Sequence, residues 1–304
     1  LAHVESLLSA LGERQVDVAS AGIVAGALTT AGSLAVHLGD FAVSESYFER
    51  SLTAARMACD EAASVRTAIS LGGLMVRMGR LAEARELLTD CLARLSPTAE
   101  PNLRPRLLNN LGTMALVEVD ASAAKAWFLQ GLDAARAQED RHLVTMLQAN
   151  LGWAQRLEGD LDGAKERLIG ALAESLETSP VNLRTSIANA LAVVHLLRGD
   201  LDEAWRLSRD ATTQRAEVGD RFGLAFSLET AAAITAQRGD HVAAAHLLGA
   251  VAPLRRELGS PLPADWSAHV DAATAAARAA LGDAVFRSTF DEAGALPLSV
   301  AVEM

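Results

Sequence analysis

The sequence predicts an all-α solenoid of antiparallel helix pairs, closed at its C-terminal end by a helical cap. Three observations carry this. A Gly-Asp turn slot recurs every 40 residues, at Gly39-Asp40, Gly79-Arg80, Val119-Asp120, Gly159-Asp160, Gly199-Asp200 and Gly239-Asp240. Small and apolar residues keep register with it. Five past the slot stand Ser44, Ala84, Ala124, Ala164, Ala204 and Ala244, and nine past it Phe48, Leu88, Phe128, Leu168, Ser208 and Leu248. Half of the residues are apolar but only 4% are aromatic, so the core is one of Ala, Leu and Val. A fixed period in the range of about 20–50 residues marks an array whose units pack only on their neighbours.

Residues 3–12 read as the second helix of a partial repeat, ended by Gly12. Six helix pairs follow, at about 17–38 and 41–58, 61–78 and 81–95, 102–118 and 121–137, 141–158 and 161–177, 181–198 and 201–217, and 221–238 and 241–257. The stretch 151–168 shows the logic. Gly159 takes the left-handed conformation that ends one helix, and Asp160 caps the next. Gly152 and Ala164 are small where the pair touches. Asp200 with Glu203 reads as a capping-box variant. In the third repeat the β-branched Val119 replaces the turn glycine, which predicts a distorted turn.

After Gly259 the period breaks. An Ala-rich helix over 264–281 ends at Gly282, and Asp283 caps a short helix to about Ala293 that carries Phe286 and Phe290 on one face. A solenoid needs such an atypical element to cover its last apolar face. The chain thus divides into a repeat array, 1–258, and capping helices, 259–304.

Composition narrows the function classes. The net charge of −11 makes this stretch a poor nucleic-acid ligand, since phosphate binding needs clustered Lys and Arg. Cys59 and Cys91 lie on different repeats, which fits a reducing, cytoplasmic setting without disulfides. Val18 to Gly39 has no charged residue and could span a bilayer by length. Its Gly22, Gly26, Gly32, Ser20, Thr29, Thr30, Ser33 and His37, and its register, read instead as the first helix of repeat 1, so no membrane is expected. The chain opens at Leu1 without a signal peptide and reads as a piece of a longer protein. His37, His142 and His195 are scattered, and His241 and His246 are five apart, where two zinc ligands on a helix want four. No nucleophile–base spacing and no phosphate loop G-x-x-x-x-G-K-[ST] occurs. No metal, cofactor or enzymatic activity is expected.

The columns resemble the tetratricopeptide repeat. Gly72, Ala84, Leu88 and Cys91 fit its pattern, as do Gly112, Ala124, Phe128 and Gly131, and Gly152, Ala164, Leu168 and Ala171. That unit is about 34 residues long. The extra residues are expected between each second helix and the next first helix, where Pro97, Pro101, Pro105, Pro180, Pro261 and Pro263 lie. Repeats lengthened in this way are similar to those of MalT-like bacterial regulators. The tail, with Leu247-Leu248-Gly249-Ala250, Leu254 to Pro263, Ala277 to Gly282 and Phe286, resembles the end of the sensor region of LuxR- and AfsR-type transcription regulators. That resemblance implies a right-handed superhelix. It also implies an ATPase module before the repeats and a DNA-binding module at one end, neither of them within these residues.

In this family the first helix of each pair lines a concave groove. Carried over by register, the groove residues are Arg66, Arg77, Arg106, Asn109, Asn110, Asn150, Trp153, Arg156 and Asn189. Amides can donate to and accept from a peptide backbone, and Trp153 offers a stacking surface. Thr29 and Ser33 stand where a Lys/Asn carboxylate clamp would be needed. Repeats 5 and 6 offer Val193, Leu197, Ala233 and Ala236, which suit packing. The expected role is a sensor or interaction module. It would take a protein or peptide partner, or an anionic small-molecule effector, in the groove of repeats 2 to 4, and no nucleic acid. A free-standing scaffold is the alternative. Helices of a neighbouring module, or a second copy of the chain in a homodimer, are the competing occupants.

Overall fold

The computed structural model describes residues 18–95 and 101–302, and all regular structure there is helical. The partial repeat at 3–12 lies outside the described residues. Six pairs follow one another: α1 (Val18–Leu38) with α2 (Phe41–Met57), α3 (Glu61–Arg77) with α4 (Leu81–Arg94), α5 (Leu103–Val117) with α6 (Ala121–Arg136), α7 (Arg141–Leu157) with α8 (Leu161–Thr178), α9 (Val181–Arg198) with α10 (Leu201–Glu217), and α11 (Arg221–Gln237) with α12 (His241–Leu258). Then come α13 (Ala264–Leu281), α14 (Asp283–Ala295) and the short α15 (Leu298–Val302). The chain is a tetratricopeptide-like helical solenoid.

The turns form as their chemistry dictates. At Gly159, φ is +84°. Its N–H donates to the Arg156 carbonyl at 3.0 Å and that of Asp160 to Gln155 at 2.9 Å, the paired bonds of a left-handed helix end. Asp160 then accepts from the Gly163 N–H at 2.9 Å. Aspartates also cap the first helices, Asp60 at Ala63, Asp140 at Leu143 and Asp220 at Gly223, each at 2.9 Å.

Four expectations need correction. Val119 does not distort its turn. It adopts φ +61°, and its bonds, Val119 to Leu116 at 3.0 Å and Asp120 to Ala115 at 2.9 Å, match those of the glycine turns. The array holds a β-branched residue in a conformation that costs it roughly 1–2 kcal/mol. Asp200 makes no capping bond. His195 and Arg198 draw its carboxylate away, at 3.2 and 3.6 Å, and Glu203 pairs with Arg206. Gly282 rather than Asp283 is the N-cap of α14. The extra residues are mostly helix. The connections at 58–60, 137–140, 179–180 and 218–220 are short, whereas that at 259–263, with its two prolines, is longer.

Within pairs the predicted packing holds. Ala84, Ala124, Ala164, Ala204 and Ala244 are all fully buried. A Cβ at Gly112 would sit 2.3 Å from the Phe128 ring, so the glycine is what lets the aromatic in. The segment Ser20–Leu38 is long and apolar enough to cross a membrane. Here it packs along α2, and the Thr29 hydroxyl is shared with Ser51 and Thr67 at 2.8 and 2.9 Å.

The array then closes on itself. Ser260, in the α12–α13 connection, donates to the Arg77 carbonyl at 2.6 Å across 183 positions. Pro261 lies against Gly79, where a Cβ would meet it at 2.6 Å, and Leu258 and Arg221 lie against Gly39. The Phe41 and Phe222 rings stand 5.8 Å apart. Leu71 and Leu74 share one buried cluster with Leu224, Leu228, Leu254 and Leu258. Helix α14 crosses α12 at Gly249, where a Cβ would fall 2.2 Å from the Phe290 carbonyl.

Candidate ligand-binding inner face

The first helices of the pairs stack on one another and leave one strip of each facing inward. In register, the strips read Arg66, Ser70, Gly73 and Arg77 on α3; Arg106, Asn110, Thr113 and Val117 on α5; Met146, Asn150, Trp153 and Leu157 on α7; Ser186, Ala190, Val193 and Leu197 on α9; and Phe226, Thr230, Ala233 and Gln237 on α11. On α3 and α5 no strip residue is buried, and Arg66, Arg77 and Arg106 are exposed. On α9 and α11 the middle of the strip, Ala190, Val193, Thr230 and Ala233, is buried.

The cap causes the difference. Trp266, at the start of α13, is wholly buried in a cluster with Val193, Ala233 and Ala236. Aromatic rings run from Trp153 to Phe226 at 5.7 Å, on to Trp266 at 5.4 Å and to His269 at 5.2 Å. Next to them Arg156 pairs with Asp265, the two side chains 5% and 12% exposed, and lies 4.6 Å over the Trp153 ring. Burial, and then the charge of Arg156, push the His269 pKa down against the pull of Asp265. Beside the closure, Glu229 is held by Arg255 through two bonds of 2.6 Å. Burial still raises the Glu229 pKa.

The nine predicted residues therefore do not form one free surface. Asn110 donates to the Ile69 carbonyl at 2.8 Å, Asn150 to the Asn109 amide oxygen at 2.7 Å, and Asn189 to Thr230 at 3.1 Å. These asparagines tie consecutive first helices together instead of standing ready for a peptide backbone. Asn109 and Asn189 are buried, which removes them from a ligand surface. Arg156 is buried against the cap, Trp153 is half-buried in the ring stack, and Arg77 lies 4.8 Å over Phe222. Arg66 and Arg106 alone of the nine remain as exposed cations clear of the closure. The ladder was visible in the sequence as amides 41 apart, Asn109 with Asn150, one repeat plus one residue. Nothing in the repeat period announced that α13 would return to the inner face.

Residues 24–96 match the tetratricopeptide repeat family model. The fold is shared with solved tetratricopeptide structures. A Rap protein complexed with competence and sporulation factor is 13% identical, with 95% of this chain and 80% of that one aligned at a TM-score of 0.64. BtubC from P. vanneervenii is 18% identical over 72% and 92%, at 0.52. A signal-transduction ATPase with numerous domains and a tetratricopeptide repeat sensor, from Pyrococcus horikoshii, is 12% identical at 0.56; 92% of this chain is aligned but only 42% of that one. No curated protein matches the sequence. Among the described residues no group of three or more His, Cys, Asp and Glu gathers into a metal site.

Proposed function

We propose that the chain is the ligand-binding sensor or interaction module of a multidomain bacterial transcription regulator. In this reading it takes an acidic peptide, a protein segment or an anionic small molecule on the inner face of repeats 2 and 3. The observation that carries it is the exposure of Arg66 and Arg106 on neighbouring inner strips of a strongly acidic chain, beside a half of the same face that the cap has filled. A carboxylate between them would gain charge-assisted hydrogen bonds. Support for a regulator comes from the tail motif and from the likeness to the repeat sensor of the Pyrococcus ATPase. A ligand can shift flanking modules only if it prefers one of their states. Wedging between the open strips and the cap would supply that preference, by favouring an array with the cap displaced.

The self-closed array supports a second reading, a free-standing scaffold, because the chain covers its own last apolar face. The test has two arms. Titration of acidic hexapeptides into the chain should give binding that weakens at least tenfold in Arg66→Ala and Arg106→Ala, roughly the value of one charged hydrogen bond. Equal affinity in both variants rules out the inner-face site. The flanking reading frame decides between regulator and scaffold: a phosphate loop upstream or a helix-turn-helix at either end belongs to the first only.

A further inference from the structure

Repeat 4 departs from its siblings on the side away from the inner strips. At one column of the first helices stand Leu28, Ala68, Leu108, Ala188 and Leu228, all apolar, and Gln148 in repeat 4. At one column of the second helices stand Tyr47, Leu87, Trp127, Leu207 and Leu247, and Arg167 in repeat 4. The two departures meet. Arg167 donates through Nη1 to the Gln148 amide oxygen and through Nε to that of Gln155, the latter at 2.6 Å. Both acceptors are neutral, no carboxylate pairs with Arg167 among the described residues, and two of its five N–H donors are used.

These groups line a cleft of about 500 Å3 between α7 and α8, which also takes in Gly163 and Gly170. Gly170 is in the exposed middle of α8, where glycine weakens a helix. Packing does not require it, since a Cβ there would meet nothing within 4 Å. What its missing side chain does is keep the trough open beside Arg167. Glu174, at the far end, is already paired with Arg141 at 2.6 Å. From Gly163 to Glu174 the trough runs about 16 Å, room for roughly five residues of extended chain.

We propose that this cleft is a second docking site, for an extended peptide segment whose Asp or Glu side chain is received by Arg167. Two neutral amides hold the guanidinium in place without neutralising it, so its free edge is presented to a carboxylate as a preformed fork. The backbone of the segment lies over Gly170, where any side chain would lift it away. The site shares no residue with the inner strips and stands or falls separately from the role proposed for them.

The test is an array of immobilised pentapeptides with a central Asp and varied flanks, beside the same array with Asn, probed with the full chain and with three variants. A subset of Asp peptides should bind and their Asn counterparts should not. Arg167→Leu, which restores the residue type of the other repeats, should weaken that binding at least about tenfold with an unchanged or higher Tm. Gly170→Leu should do likewise by filling the trough. Arg256→Ala, an exposed arginine outside both proposed sites, should change nothing. Binding that is indifferent to Asp against Asn overturns the proposal, as does binding retained by Arg167→Leu or a fall in its Tm, which would make Arg167 a packing group. Equal, Arg167-dependent binding of free succinate would overturn the peptide assignment in favour of a small-carboxylate site.

Discussion

Repeats 2 and 3 and repeats 5 and 6 are built on one register, yet their inner faces end differently. In repeats 2 and 3 the middle strip positions hold Ser70, Gly73, Asn110 and Thr113, and none of them is buried. In repeats 5 and 6 the same positions hold Ala190, Val193, Thr230 and Ala233, all buried, and Trp266 of the cap shares a cluster with Val193 and Ala233. The lesson is that a solenoid's concave face is not one surface. Small apolar strips are grooves only until something apolar can reach them, and here the cap of the same chain does.

The cap side should be the more fragile to substitution. Asp265→Ala leaves Arg156 buried without its partner, which costs about 3–5 kcal/mol. Trp266→Ala empties the centre of the same cluster at a similar cost of about 3–5 kcal/mol. Denaturant unfolding of the two variants measures both. Next in size is overpacking between helices of one pair: Ala164→Leu, at a fully buried contact, should lower stability by about 1–3 kcal/mol, read as a lower midpoint. An unchanged midpoint would mean that α7 and α8 are not packed as described.

Acid offers a gentler break. His142, His195 and His269 all have pKa values lowered from 6.5 in the fold, each chiefly by burial. The unfolded chain then binds more protons than the native one below that value. Their contribution is complete above about pH 6.5 and is lost as pH falls through it towards the lowered folded values. His269 adds a second positive charge beside Arg156 when it titrates, so the cap should loosen first. His269→Gln should flatten part of the stability loss between pH 7 and 5.

Val119→Gly should raise stability by about 1 kcal/mol, by relieving the left-handed β-branched residue. Smallest of all, Arg66→Ala and Arg106→Ala should stay within about 0.5 kcal/mol of the parent, because these side chains are exposed. A large loss at either would show that the open half is not open.

Most of the fold could be read from the residues. The 40-residue turn slot located every helix pair, and the small columns located the contacts inside each pair, because both are local and repeat. Caps were legible in general but misplaced in two cases, at Asp200 and at Asp283. Asp200 has the right spacing to Glu203, yet His195 one turn back competes for its carboxylate, and that competition is set by side-chain direction. Val119 failed as a signal of distortion because neighbouring pairs over-determine the turn. The site was legible in composition only. Column logic named the inner-strip residues, and the 41-residue spacing of Asn109 and Asn150 marks their bond, but the Arg156–Asp265 pair and the Ser260–Arg77 closure join residues 109 and 183 apart. No periodicity within one repeat encodes contacts made by the array as a whole.

The claim that the cap fills one half of the inner face is tested most directly by hydroxyl-radical footprinting of the intact chain, read residue by residue by mass spectrometry. Trp266 is fully buried, whereas Met57 is 47% exposed. The account predicts that Trp266 stays unoxidised while Met57 reacts at the rate of an exposed side chain, and that Asp265→Ala brings Trp266 into reaction. Oxidation of Trp266 in the parent chain at a rate comparable to that of Met57 would contradict it: the cap would then stand away from repeats 5 and 6, and both halves of the inner face would be open.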